Sequence, residues 1–87
     1  MATYRIVNIV LELIDLSSIR AEFDVERLNG DWVLVKTATI STAVSRNALE
    51  IAKEIGEAAK QIARKDSLID GIFDEVLSIL SGKEFEI

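Results

Sequence analysis

A β-hairpin centred on Asn29 and Gly30 constrains the fold of this chain most, because it is the only long strand-forming segment that the sequence pattern indicates. An Asn-Gly pair between two strand-forming runs is a strong short-range hairpin signal. We predict the hairpin over residues 20–39, with its turn at residues 28–30. A lone two-stranded ribbon is only marginally stable in water, so helices or a second chain must cover it.

The register of this hairpin is predicted from how it sorts apolar and charged side chains. We expect Gly30 to be left-handed in a bulged turn, with Arg27 opposite Asp31. One face then carries the residues that helices would cover, which are Ala21, Phe23, Val25, Val33, Val35 and Thr37. The other face carries Trp32 and Leu34 among the charged residues Glu22, Asp24, Glu26 and Lys36. A slip of one residue would mix apolar and charged side chains on both faces.

The face with Trp32 and Leu34 is a candidate contact surface. A tryptophan beside a leucine, on a ribbon whose two edges are open, forms an unusual exposed patch. Leu28 lies at the turn, and we include it among the interface candidates. Pairing with another copy would cover both the patch and an open edge, so we expect the hairpin to mediate assembly.

The first segment is predicted as a helix over residues 3–17. Its apolar residues are mostly β-branched or bulky, which also suits a strand, so a strand is the alternative. The polar residues favour the helix because they are spaced three, four and three apart, as on one side of a helix. These residues are Arg5, Asn8, Glu12 and Asp15.

A second helix is predicted over residues 42–65, where apolar residues recur with helical period from Val44 onward. Serine or threonine at positions 41, 42 or 45 would cap its start. Small residues at four-residue spacing form a ridge that another helix could approach closely, and these interface candidates are Ala48, Ala52 and Gly56. The alternative is that Gly56 is merely tolerated, at a cost of about 1 kcal/mol relative to alanine.

A third helix is predicted over residues 67–81. The polar run from Lys65 to Ser67 interrupts the apolar pattern, and Ser67 with Asp70 has the spacing of a capping box. Gly82 follows the last apolar residue, where a left-handed residue would end the helix. So short a connection predicts an antiparallel pair of helices.

These elements predict an α+β fold with the order α-β-β-α-α and the helices packed on one face of the hairpin. Residues 1–87 form a single domain, and residues 83–87 form a short tail or strand. A chain of 87 residues has a limited core, and it has no cysteine for disulfides. We therefore expect oligomerisation to complete the fold.

The sequence carries no catalytic, cofactor-binding or metal-binding signature, and we predict a protein that is not an enzyme and has no cofactor. Histidine and cysteine are both absent, which removes the commonest metal ligands and the usual acid-base group at neutral pH. The four glycines are far apart and form no phosphate-binding loop. The carboxylates on the hairpin are interpreted as a solvated face.

Charge argues against a nucleic-acid partner because the chain has a net charge of −5. Basic residues outnumber acidic ones only between residues 41 and 65, while residues 66–87 are strongly acidic. The apolar runs are short and no basic leader precedes them, so we predict no membrane partner and a cytoplasmic protein.

Three functions agree with these observations. The first is a self-assembling structural or protein-interaction module that forms a homo-oligomer through the hairpin. The second is a small acidic binding protein, such as an inhibitor, antitoxin-like protein or adaptor, that acts on a protein partner. The third is an engineered fold with no natural function, which the absence of proline, cysteine and histidine would fit.

Overall fold

The structure is a computed structural model that describes residues 2–82, 84 and 86. It contains three strands and one helix, namely β1 (Tyr4–Leu13), β2 (Ser18–Asn29), β3 (Asp31–Ala43) and α1 (Ala48–Leu80). The strands form one antiparallel sheet in the order β1-β2-β3. The order of elements is therefore β-β-β-α, and the predicted α-β-β-α-α arrangement with two helices packed as a pair is wrong.

The first segment is a strand, so the predicted helix over residues 3–17 is wrong. Its register against β2 shifts between Val7 and Val10, and Asn8 adopts a positive φ of 55° in this bulge. Asparagine tolerates that backbone conformation better than most residues. Because the bulge inserts an extra position, the polar residues lose strict alternation and imitate the spacing of a helix.

The hairpin is longer than predicted and has a different register. It extends over residues 18–43 instead of 20–39, and Arg27 lies opposite Val33 rather than Asp31. A register shift opposite Val25 and Glu26 leaves Val35 without a partner on β2. This bulge places Thr37 on the face away from the helix and Lys36 opposite Val25.

The turn of the hairpin is also tighter than the predicted turn over residues 28–30. Asn29 lies opposite Asp31, and Gly30 between them has a φ of 72°. Next to the turn, the Asp31 carboxylate accepts a hydrogen bond from the Trp32 backbone N–H at 2.8 Å. Glycine suits this position because it adopts positive φ without steric cost.

One continuous helix replaces the predicted helices over residues 42–65 and 67–81. It begins at Ala48, after Asn47, whose side chain accepts the backbone N–H of Glu50 at 2.9 Å. Residues 41 and 42, which were candidate caps, belong to β3 instead. The run from Lys65 to Ser67 is helical, and its Asp66 and Ser67 side chains contact Tyr4 of β1.

The end of the helix was predicted correctly. Ser81 is the C-cap residue, and its backbone N–H donates to the Leu77 carbonyl at 2.8 Å. Gly82 follows it with a φ of 75°. This is the left-handed glycine expected after a helix. The predicted tail or strand at 83–87 falls largely on Lys83, Phe85 and Ile87, which lie outside the described residues.

The core is a thin layer between one face of the sheet and the first half of α1. The buried apolar residues in the described part of the chain are Ala21, Phe23, Val25, Ile55 and Ala59. Partly buried residues pack around them, namely Tyr4, Ile6, Ala38, Ile40, Ile51, Ala58 and Ile62. The molecule is elongated, with extents of 64 × 30 × 16 Å, so little of its apolar surface is enclosed.

Substitutions of a buried and an exposed valine test which strand residues contribute to the core. Val25→Ala should lower the free energy of unfolding by about 2–3 kcal/mol, because the Val25 side chain is only 1% exposed and its truncation leaves a cavity. Val10→Ala is the matched control, since Val10 is 59% exposed in a neighbouring strand, and it should cost less than about 1 kcal/mol. Urea unfolding of both variants measures the difference, and equal losses would contradict this description of the core.

Candidate interaction surfaces

A polar cluster fixes α1 to the sheet. The Tyr4 hydroxyl donates to the Asp66 Oδ2 at 2.7 Å and lies 3.0 Å from the Ser67 Oγ. The Arg27 guanidinium binds the Asp66 carboxylate at 3.0 Å and also the Asp70 carboxylate. Residues that imitate a helix cap in the sequence are therefore anchors for side chains of β1 and β2. We call these five residues the clamp.

The clamp is partly shielded from solvent. The Arg27 side chain is 25% exposed and Asp66 is 21% exposed. Partial burial disfavours the charge of the guanidinium, but the carboxylates of Asp66 and Asp70 outweigh this effect and raise the pKa of Arg27. The clamp therefore holds a charged network at the end of the sheet where the hairpin turn lies.

The helix continues past the clamp as an uncovered segment, residues Gly71–Leu80, which we call the overhang. Every residue of the overhang is exposed. Its large apolar residues are Ile72, Phe73, Val76, Leu77, Ile79 and Leu80, and most of them continue the helical stripe that packs on the sheet. Phe73 is 60% exposed and Leu80 is 61% exposed. The apolar spacing predicts this stripe, but the predicted pair of antiparallel helices would have buried it. Its exposure was therefore not predicted.

A second apolar surface lies beside the first half of α1. A groove of about 470 Å³ runs between β1 and the helix and is lined by Ile6, Ile9, Leu11, Ala48, Ile51, Ala52 and Ile55. A smaller cavity of about 290 Å³ extends it past Gly56, Ala59 and Ala63. We call the two together the β1 groove. Ile9 and Leu11, which line it, are each more than half exposed.

The predicted small-residue ridge borders this groove. Ala48 and Ala52 line its larger part, and Gly56 lines its extension. Space is open at Gly56, because a Cβ atom added there would meet no atom within 4 Å. The groove thus has small residues on its helix side. On its strand side it has the exposed residues Ile9 and Leu11, which lie in the segment predicted as a helix.

The hairpin candidates lie on the opposite face of the sheet. Leu28 pairs with Trp32, and Leu34 pairs with Glu26. The guanidinium of Arg5 stacks over the Trp32 ring, 4.2 Å from its centroid, while it binds Glu26 at 2.7 Å. Trp32 is therefore only half-buried under a charged neighbour. The six predicted interface residues do not form one site, because the ridge and the hairpin patch occupy different faces.

The carboxylates of the outer face form a hydrogen-bonded network. Asp24 accepts from the Thr37 hydroxyl at 2.6 Å and from the Asn8 side-chain amide at 2.8 Å. The bond from Thr37, followed by the bond from Asn8, lowers the pKa of Asp24 below its ordinary value of 3.8. No group of side chains suited to hold a metal ion occurs within residues 2–82, 84 and 86.

Comparison with known proteins adds no family or activity. No family model, curated protein or solved structure matches the chain. In the part of the chain that the structure describes, no helix is long and apolar enough to cross a membrane. The two apolar surfaces are therefore the features from which function must be inferred.

The clamp predicts unequal roles for two arginines of β2. Arg27→Met should lower the free energy of unfolding more than the loss of an outer-face arginine does, because it leaves the partly buried Asp66 carboxylate and the Asp70 carboxylate without their cation. Arg20→Met is the matched control, since Arg20 pairs with Glu12 on the outer face where both side chains are about half exposed. Its loss should cost less than about 1 kcal/mol. Urea unfolding compares them, and a larger loss for Arg20→Met would contradict the role of the clamp.

The outer-face network predicts a specific titration. In Thr37→Val the pKa of Asp24 should rise toward its ordinary value, because the bond from Thr37 is the largest cause of its depression. NMR titration of the carboxyl carbon measures it. Thr39→Val is the control, because Thr39 lies on the same face opposite Glu22. An unchanged pKa in Thr37→Val would contradict this assignment.

The same shift fixes the direction of a pH effect on stability. A carboxyl group whose pKa is lower in the folded chain than in the unfolded chain stabilises the fold above its unfolded pKa. That contribution is lost as the pH falls through the folded pKa of Asp24, below about 4. Thr37→Val should therefore lose less stability than the wild type over this acidic range.

Proposed function

We propose that this chain is a non-enzymatic module that associates with itself through the apolar surface that α1 and β1 leave uncovered. The observation that supports the proposal is an imbalance within the described part of the chain. Its core has five buried apolar residues, whereas many large apolar side chains stay exposed along the overhang and the β1 groove. Monomeric soluble proteins rarely expose contiguous apolar patches of this kind.

Stability supports association as well. A domain of this size has little core, and natural examples gain stability from disulfides, metals or oligomers. The chain has no cysteine and no histidine, so burial against another chain is the most accessible of these options. Association would convert exposed apolar surface into core, at roughly 25 cal/mol for each Å² removed from water.

The proposal differs from the expected hairpin interface in where the contact lies. Leu34 is exposed on the outer face, but Trp32 beside it is covered by Arg5 and the neighbouring side chains are charged. The overhang offers a continuous apolar stripe that no residue of the described part of the chain covers in this way. A self-association surface on the helix side is therefore favoured over one formed by the hairpin.

An acidic protein that binds a different protein is the second candidate. Asp74 and Glu75 of the overhang favour it, because an apolar stripe beside negative charge can dock on a groove with basic edges. Both candidates are compatible with a cytoplasmic setting, which the absence of cysteine supports, since small secreted domains commonly rely on disulfides.

Light scattering across micromolar concentrations tests the proposal. The wild type should be a homo-oligomer, and Phe73→Lys with Leu80→Lys should weaken association at least about 100-fold, because two apolar contacts of about 1.5–3 kcal/mol each are lost. Lysine at position 80 lies in the last turn, where it suits the helix dipole, and lysine is a good helix former at position 73, so the variant should keep its helix.

The matched control is Trp32→Lys with Leu34→Lys, which adds the same charge on the outer face. It should associate like the wild type. A monomeric wild type would overturn the proposal and favour the acidic binding protein. Dissociation of the control alone, with the overhang variant unaffected, would return the interface to the hairpin.

A further inference from the structure

We propose that the partner surface for the overhang is the β1 groove of a second copy, so that two chains exchange overhangs with their α1 helices antiparallel. This inference rests on the proposed self-association and specifies its geometry. Each copy carries both an overhang and a groove, so a twofold arrangement satisfies both surfaces in both copies. Such an arrangement closes at a dimer, because both overhangs and both β1 grooves are then occupied.

The groove is long enough to hold the overhang. The wall of the groove extends along α1 from Ala48 to Ala63, which is about 22 Å at the rise of an α-helix. The overhang is ten residues of the same helix, about 15 Å long. A second copy's overhang therefore fits within the groove, with its apolar stripe toward Ile9 and Leu11 on the exposed strand β1.

The small-residue ridge suits a helix as the occupant. Ala48, Ala52 and Gly56 leave room for the backbone of a second helix to come close, and the space at Gly56 is open. Large apolar residues of the overhang, such as Phe73 and Leu77, would then fill the space that these small residues leave. Large side chains packed against small ones give the interdigitation that helix interfaces need.

Charge favours this pairing over one in which two overhangs meet. From Asp66 onward, α1 carries the acidic residues Asp66, Asp70, Asp74 and Glu75 and no basic residue. Residues 48–65 carry four basic and three acidic side chains, and two basic residues, Arg5 and Lys60, line the extension of the β1 groove. Antiparallel helices place the acidic end of one copy beside this mildly basic stretch of the other, whereas paired overhangs would bring like charges together.

The groove on the other side of α1 is a poorer receptor. That groove, about 440 Å³, is bordered by Lys36, Gln61, Lys65 and Asp66, so docking there would bury more polar groups. The walls of the larger part of the β1 groove are entirely alanine, leucine and isoleucine. The apolar stripe of the overhang therefore has its better match on the β1 side.

Cysteine cross-linking tests the geometry directly, because the chain has no cysteine of its own. The variant that carries both Ala52→Cys and Val76→Cys should give a covalent dimer with a short flexible bismaleimide. Positions 52 and 76 of one copy are roughly 36 Å apart along the same helix, so a short reagent can join them only between copies. The flexible reagent also tolerates a shift of about one helical turn in register.

The single variants separate the possible results, with light scattering of each protein run in parallel. Neither Ala52→Cys nor Val76→Cys alone should cross-link. Efficient cross-linking of Val76→Cys alone would show paired overhangs, and an oligomer without cross-links in the double variant would place the interface elsewhere. Both results overturn the groove inference and leave self-association intact. A monomeric wild type overturns both.

A second pair of variants checks the groove without a reagent. Gly56→Leu should weaken the dimer at least about tenfold, because the new side chain occupies the site of the partner helix. Gln61→Leu is the matched control, since it adds a leucine in the same half of α1 but on the side of the other groove, and position 61 does not line the β1 groove. Equal dimer affinities for the two variants would contradict the inference.

Discussion

The structure depends on the clamp, in which Arg27 binds two aspartates of α1 and Tyr4 donates to one of them. This network ties β1 and β2 to the middle of a helix that is much longer than the sheet it covers. Because the attachment lies near the hairpin turn, it fixes where the covered part of the helix ends and the overhang begins. It also keeps the helix continuous across a polar run that would otherwise favour a break. The position of the clamp thus determines which part of the apolar stripe packs on the sheet and which part is exposed.

A single helix cannot cover a three-stranded sheet. Helices with their side chains are about 10–12 Å wide, whereas neighbouring strands are about 4.8 Å apart and their side chains extend beyond the outer strands. The helix lies over the central strand, whose Ala21, Phe23 and Val25 are buried, and it leaves a groove on each side. On the β1 side this groove exposes Ile9 and Leu11. The incomplete cover is a direct result of pairing one helix with three strands.

Local pattern in the sequence was enough for the features that depend on neighbouring residues. The hairpin position at Gly30 and the helix end at Gly82 followed from backbone preferences. The strand β1 was missed because a bulge at Asn8 disturbs its alternation, and helix continuity was missed because Asp66 and Ser67 bind Tyr4, which is far away in the sequence. The small-residue ridge was identified in advance, but its neighbours on β1 were not. Sites formed by long-range contacts leave no local signal.

The overhang is a helix that its own sequence supports weakly. Helix ends without tertiary contacts fray readily, and this one contains Gly71 and has no basic residue in its last turn to interact with the helix dipole. Most helical stability in proteins comes from packing of an amphipathic face. The apolar stripe of the overhang has no tertiary partner among residues 2–82, 84 and 86, so an external partner would stabilise it. Association then stabilises the overhang and the β1 groove together, so the stability of the fold should depend on protein concentration.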